Sequence, residues 1–354
     1  MARTFRSVLF RIGTFVLPIY WGQLYSRVDK YPSRIELQIA IALSRFFAAA
    51  KYVAQKRSVP RPISNLGESA YLKRRFNAFT VPDSRVERKE GLPAIEALFA
   101  IHPKDFAVAS FSIEAAIRHS TNPIDKITIV SPDRKLAEEH FALAVWDNVP
   151  VEFMDDAAVL APLALEELRL NFAKRSGWVT QQLIKVLYVA NHATLPTLIM
   201  DSDTVMLRDK TWLSFDGHPL TYFRHFVNAN YLRFLEEFGV SKIDHSKSFV
   251  THHLIMRPEI LRRALIEAFD STDVRDISRN IHEASKKLGS FEFAIDYELY
   301  GQYFFGHHQA ELLLDKYSNI ELSRDEYEST LKQVTDNLRK KPRHNTVSFH
   351  QRPG

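Results

Sequence analysis

The feature that most restricts how this chain can fold is the rhythm of its middle third. From about residue 94, short apolar runs alternate with stretches of helical spacing. "IEALFAIHPKD" ends an apolar run at Asp105, and "FAVASFSIEAAIRHS" follows with helical periodicity. "DKITIVSPD" (125–133) is rich in β-branched residues and stops at Ser-Pro-Asp. "KLAEEHFALAV" is helical, "VPVEFMDD" (149–156) is a short strand, and "WVTQQLIKVLYVANH" (178–192) is a helix with Gly177 at its start. Strand and helix in this alternation imply βαβ units and a mostly parallel sheet flanked by helices. In such sheets ligands bind beyond the carboxyl ends of the strands.

At one of those ends stands "TLIMDSDTVML" (197–207), an apolar run that meets Asp201 and Asp203. Burying two neighbouring carboxylates without partners is too costly to be incidental. Two positions apart, the pair would share one face of an ideal strand, and a bend at the strand end sets how they converge. Oxygen donors of this kind suit Mg²⁺ or Mn²⁺. The local text also fits the opening of a haloacid-dehalogenase-like phosphatase, where the first aspartate is a nucleophile. Against that reading, roughly a hundred residues of α/β pattern come first, and "LLLDKYS" and "FAIDYEL" are poor substitutes for the later motifs it needs. A third reading is a non-catalytic, membrane-attached scaffold.

The rest of the chain sorts by charge and pattern. Residues 1–90 hold 17 Lys+Arg against 6 Asp+Glu, so +11, and the remainder of the chain is −6. This basic block is read as a helical N-terminal extension, and residues 91–354 as the main domain. "RIELQIAIALSRFFAAAKYVAQKR" (34–57) is its clearest helix. "VLFRIGTFVLPIYWGQLY" (8–25), broken by Arg11 and Pro18, is better suited to lie on a membrane than to cross one. An anionic lipid surface is the expected partner of the block, and no nucleic-acid motif is present. The chain has no cysteine, which excludes disulfides, thiolate metal sites and cysteine nucleophiles. None of its 12 Asn begins an Asn-x-Ser/Thr acceptor. Both absences fit a cytoplasmic location, peripheral on the inner membrane face. Beyond residue 206, "HPLTYFR" (218–224), "SFVTHHLIMR" (248–257) and "NTVSFHQ" (345–351) read as strands. "PEILRRALIEAF", "FAIDYELYGQYFFGHH" (293–308) and "ESTLKQVTDNLRKK" read as helices.

Taken in order, "GWVTQQLIK", "DSDTVML", "SFVTHH" and "DYELYG" resemble the GT-A superfamily of nucleotide-sugar glycosyltransferases. More closely, they resemble a bacterial group of such proteins known only as a domain of unknown function. The resemblance covers roughly residues 94–352 and leaves the N-terminal block unmatched. It implies a GT-A-like α/β domain that moves a sugar from a nucleotide-diphosphate sugar to a hydroxyl of a cell-envelope glycan or lipid-linked acceptor, with inversion. It makes Asp201 and Asp203 the metal and nucleotide motif, with Mn²⁺ or Mg²⁺ as cofactor. His350 matches the C-terminal histidine that often completes the metal shell. Asp296, with Glu298 second, matches the acidic base at the start of a late helix. Gln181 and Lys185, four apart on one helical face, and His253 are the expected donor-site residues. The basic run "LRKKPRH" (338–344) is a further candidate for phosphate contact.

Overall fold

In a computed structural model of the chain, the described residues are 91–323, apart from 143, 145, 147 and 226, together with 344–350. The basic block 1–90, the helix expected at "ESTLKQVTDNLRKK" and all of 338–344 except His344 lie outside them.

Ten strands and nine α-helices follow one another in the described residues. They begin with β1 (Ile95–Ala100), α1 (Phe106–His119), β2 (Ile124–Ser131), α2 (Arg134–Phe141) and β3 (Val151–Asp155). Next come α3 (Asp156–Leu160), α4 (Pro162–Phe172), α5 (Ser176–Asn191), β4 (Thr197–Met200) and β5 (Thr204–Met206). They continue with β6 (Leu220–Phe223), α6 (Ala229–Glu237), β7 (His253–Met256), α7 (Pro258–Phe269) and α8 (Val274–Leu288). A π turn (Ile295–Leu299) leads into α9 (Tyr300–His307), followed by β8 (Leu313–Lys316), β9 (Asn319–Ser323) and β10 (Thr346–His350).

The central sheet has the order β3-β2-β1-β4-β7. Its first four strands are parallel, and β7 runs antiparallel to β4. The mixed α/β class with a mostly parallel sheet is therefore the one expected from the strand–helix alternation. β1 and β4 are fully buried and mostly apolar, with only Glu96 and Thr197 polar, as strands covered on both faces require. The core joins Ile95, Phe99, Ile127, Ile129, Leu198 and Met200 to Val108, Ile113 and Ala116 of α1. Between β1 and β4 the strand order reverses, so their carboxyl ends open a crevice at the top of the sheet.

Two small sheets stand by this crevice. One has the order β5-β10-β9 and the other pairs β6 with β8. β10 runs antiparallel to β5 and parallel to β9. This inserts a strand from the far end of the sequence directly beside the Asp201–Asp203 segment.

Two elements differ from the sequence expectation for identifiable reasons. "SFVTHHLIMR" forms a strand only from His253, because His252 has φ of 61° and breaks the extended run. The late helix begins not as an α-helix but as the π turn, which places Asp296, Tyr297 and Glu298 in successive buried positions. Helices α3, α4, α6 and α8 are additions to the sequence reading. α8 is a strongly amphipathic helix with Asp273 as its N-cap, bonded to Arg275 N, and Gly289 in the left-handed conformation after its end.

No helix of the described residues is long and apolar enough to cross a membrane.

α9 approaches the loop before β7 closely. A Cβ built on Gly301 would lie 2.2 Å from Cγ of Phe249, which is itself fully buried. Only a residue without a side chain fits there. Gly301→Ala should destabilise the domain by about 1–3 kcal/mol, read as a lowered midpoint in urea, whereas an unchanged midpoint would show that the loop yields freely.

Candidate active site

β4 delivers the chain to the crevice and then stops. Residues 201–203 form a turn closed by Thr204 N donating to Asp201 O at 3.1 Å, and β5 starts there. Ser202 is buried, and its carbonyl accepts from Ser112 Oγ of α1 at 2.8 Å. The turn is thus anchored at its centre while the carboxylates on either side are free to face the crevice.

The inner carboxylate, Asp201, is fully engaged. Its Oδ1 accepts from the Lys185 ammonium and, at 2.7 Å, from the Tyr297 hydroxyl. Its Oδ2 faces His252 Nδ1 at 2.9 Å. Lys185, buried on α5, also donates to Asp296 Oδ2 at 2.9 Å and to Tyr297 OH at 3.3 Å. The lysine therefore bridges two carboxylates that lie 95 positions apart, 296 against 201, and draws the π turn onto the sheet. Its Nζ also stands 4.7 Å from the centroid of the Tyr297 ring.

The electrostatics follow the geometry. Burial acts to lower the Lys185 pKa, but the charges of Asp201 and Asp296 outweigh it and hold it above the ordinary lysine value. Burial acts to raise the Asp201 pKa, but Lys185 and His252 outweigh it and hold the carboxyl well below the usual range. Asp296 moves the other way, pushed up by burial and by the neighbouring Asp201 charge despite Lys185. One cation between two acids satisfies the inner one more completely.

The outer carboxylate, Asp203, reaches the last strand. Its Oδ2 lies 3.1 Å from His350 Nδ1, and its carbonyl accepts from Phe349 N at 2.8 Å. Thr204 Oγ1 and Ser348 Oγ meet at 2.8 Å, continuing the same β5–β10 contact one residue on. Asp203 raises the His350 pKa through this contact, against partial burial. The His252 and His350 rings stand 5.4 Å apart.

The structure thus brings Asp201, Asp203, Lys185, Asp296 and His350 into one constellation. Three other candidates stand outside it. Gln181 is half-buried on α5 and makes none of these bonds; its neighbour Gln182 holds the π turn instead, accepting from Ile295 N at 2.8 Å through Oε1. His253 is 1% exposed and packs among Trp212, Tyr222 and Tyr317 at 5.1–5.4 Å between ring centroids. Burial pushes its pKa down to about 3, so it is a neutral packing residue, and His252 takes the place at the crevice. Glu298 points away from the cluster, accepting from Ser248 Oγ at 2.8 Å, Phe249 N at 3.1 Å and Gln302 Nε2 at 2.8 Å. It secures the loop before β7. Tyr297, and Glu321 beside His252 and His350, are the participants not singled out from sequence. The His-His pair signalled that one of the two would face the crevice, but the choice depends on the left-handed backbone at His252.

Two outcomes follow. Lys185→Met leaves the buried Asp296 and the half-buried Asp201 without their shared cation and should cost about 3 kcal/mol in urea denaturation, and a loss below about 1 kcal/mol would show that the pair is not held through the lysine. Burial pushes the Glu298 pKa from 4.5 up to about 7. The folded state therefore binds this proton more tightly than the unfolded state, and stability falls as pH rises across that window. Glu298→Gln should remove a stability difference on the order of 3 kcal/mol between pH 4.5 and 8. Parallel pH profiles for the two proteins would contradict it.

No family model matches the chain, and no curated protein sequence does. Among solved structures it is similar to an active-site mutant of LgtC, with 12% identity over 73% of this chain and 88% of that one and a TM-score of 0.41. It is also similar to the galactosyltransferase LgtC bound to donor and acceptor sugar analogues, with 12% identity over 72% and 87% and a TM-score of 0.38. A third is the mannosyltransferase Ktr4p of S. cerevisiae with GDP, at 8% identity over 66% and 71% and a TM-score of 0.40.

Proposed function

We propose that this protein is a metal-dependent glycosyltransferase, moving a sugar from a nucleoside-diphosphate sugar to a hydroxyl of a cell-envelope glycan or lipid-linked acceptor with inversion. The observation that carries the reading is the meeting of Asp203 and His350, 147 positions apart, at 3.1 Å over the strand-order reversal. They stand directly beside the Asp201–His252 pair.

The charge of the site supports a cation. Lys185 pairs with Asp201 and Asp296, while Asp203 and Glu321 stand by the histidines His350 and His252, so the outer part of the crevice is rich in carboxylates. A diphosphate enters such a crevice only with its charge compensated. Carboxylate oxygens and imidazole nitrogens together fit a divalent ion such as Mn²⁺, and fit Mg²⁺ through the oxygens. Asp203 and His350 would hold it at the outer, more exposed side. When bound, such an ion neutralises the charge that develops on a diphosphate leaving group.

The chain's own residues do the rest. Lys185 neutralises the inner carboxylates and keeps the π turn seated against the sheet. Of the two acids on that turn, Asp296 faces the cluster and Glu298 does not. Asp296 is therefore the group to take the proton from the acceptor hydroxyl, exchanging its Lys185 contact for that hydroxyl as the oxygen attacks the anomeric carbon. Asp201 is unsuited to the nucleophile role of a phosphatase, because both of its oxygens are already bonded. The basic residues 1–90 would supply attachment to an anionic membrane where the acceptor is displayed.

The test is a panel of nucleoside-diphosphate sugars with and without Mn²⁺, read by thermal shift and by nucleotide release. Binding should require the metal, Asp203→Ala should lower turnover about a hundredfold or more, and the product anomer should be inverted by NMR. Turnover within about tenfold of the unmodified enzyme would overturn the metal role of Asp203. A retained anomer, or full activity in Asp296→Asn, would overturn the base role. Hydrolysis of p-nitrophenyl phosphate without sugar transfer would replace the reading by the phosphatase.

A further inference from the structure

The geometry points to a larger ion-binding set than the Asp-Ser-Asp segment and the last-strand histidine: His252 and Glu321 ligate the cation together with His350, and Asp201 is the carboxylate brace behind His252 instead of a ligand. This rests on the proposed function only in taking the crevice to hold a divalent cation.

Four observations converge. First, one donor atom from each of His252, Glu321 and His350 lies within 4.8 Å of the other two, so small side-chain shifts bring all three onto one ion. Second, both imidazoles are already oriented for ligation. A carboxylate only accepts, so His252 Nδ1 carries the proton it shares with Asp201 Oδ2 at 2.9 Å, and its Nε2 carries the lone pair. His350 repeats the arrangement with Asp203 Oδ2 at 3.1 Å. Metal-ligating histidines characteristically donate their other ring nitrogen to a carboxylate in this way.

Third, the strand register sets Glu321 on the correct face. β9 and β10 pair Glu321 with Ser348 and Ser323 with His350. Side chains two apart along a strand share a face, so Glu321 and His350 lie on the same one. Fourth, Asp201 has no oxygen to spare for an ion, with Lys185 and Tyr297 on Oδ1 and His252 on Oδ2. Asp203 differs, since its Oδ1 meets only Thr204 Oγ1 at the limiting distance of 3.5 Å. It can offer that oxygen to the ion only by turning from His350 Nδ1, because an ion on Nε2 lies across the imidazole ring from Asp203.

His252 is held in place at some cost. Its φ of 61° is a left-handed conformation unfavourable for a side chain with a Cβ, by roughly 1–2 kcal/mol. The neighbouring bonds enforce it: Asp201 N donates to His252 O at 2.9 Å, and Thr251 Oγ1 donates to His253 O at 2.8 Å. Strain retained beside a constellation of donors is characteristic of a ligand clamp.

Two imidazole nitrogens make this a site for Mn²⁺, Co²⁺ or Zn²⁺ in preference to Mg²⁺, which favours oxygen donors. The test uses the full-length, metal-free protein, titrated with Mn²⁺ and with Mg²⁺ by calorimetry, and pulsed EPR of the bound Mn²⁺ to count coupled imidazole nitrogens. Two nitrogens are expected, falling to one in His252→Ala and one in His350→Ala. Mn²⁺ affinity should drop at least about tenfold in His252→Ala and in Glu321→Gln, and Mg²⁺ should bind at least about tenfold more weakly than Mn²⁺. Glu321 is exposed, so Glu321→Gln decides the matter even if His252→Ala fails to fold. A single nitrogen unchanged in His252→Ala, unaltered Mn²⁺ affinity in Glu321→Gln, or no Mn²⁺ binding would overturn the inference. Sugar transfer that persists alongside such a result leaves the proposed function standing. Two-nitrogen binding without sugar transfer sinks that function and leaves the ligand set intact.

Discussion

The site depends on a buried ammonium. Lys185 sits between Asp201 on the sheet and Asp296 on the π turn, and it is the bond between two parts of the chain that otherwise have separate reasons to fold. Charges taken out of water are stabilised only by close partners of opposite sign and by further hydrogen bonds. Tyr297 and His252 supply those further bonds, so Asp201 is ionised, oriented and saturated at once. Everything outward of it is arranged on that base: His252 stands against Asp201, and His350, at the end of β10, stands against Asp203.

The arrangement divides labour between two aspartates that look equivalent in sequence. Asp201 is turned inward and serves the architecture of the site. Asp203, the last residue of the turn, meets a strand from the far end of the chain and is left with an oxygen to offer. Likewise the paired histidines separate. His252 joins the polar cluster, while His253 is enclosed by aromatic rings and held neutral by burial. Glu298 and Asp296, two residues apart on the π turn, part in the same manner, one to a loop and one to the lysine.

Much of the fold was legible because its causes are local. Apolar runs that end in Asp or Ser-Pro-Asp mark β2 and β4, and Pro258 at the first helical position marks the start of α7. Less legible were the short helices α3 and α4 and the amphipathic α6 and α8. They fall in stretches whose apolar residues are spaced among many charges, and packing against neighbours completes them. The π turn could not be read at all, since a helix-like pattern does not distinguish it from an α-helical start.

For the candidate site, residue type and chain position alone indicated that Asp201 and Asp203 end a buried strand, that Lys185 lies on the preceding helix, and that His350 lies on a late strand. Those are local properties of composition and periodicity. Tertiary structure decided which carboxylate turns to the lysine and which to the histidine. It decided that His252 and not His253 faces the crevice, and that Glu321 stands on the face of His350. Each of these depends on a contact between segments tens to more than a hundred residues apart, or on one backbone angle. Neither a pairing register nor a positive φ leaves a trace in the order of the amino acids.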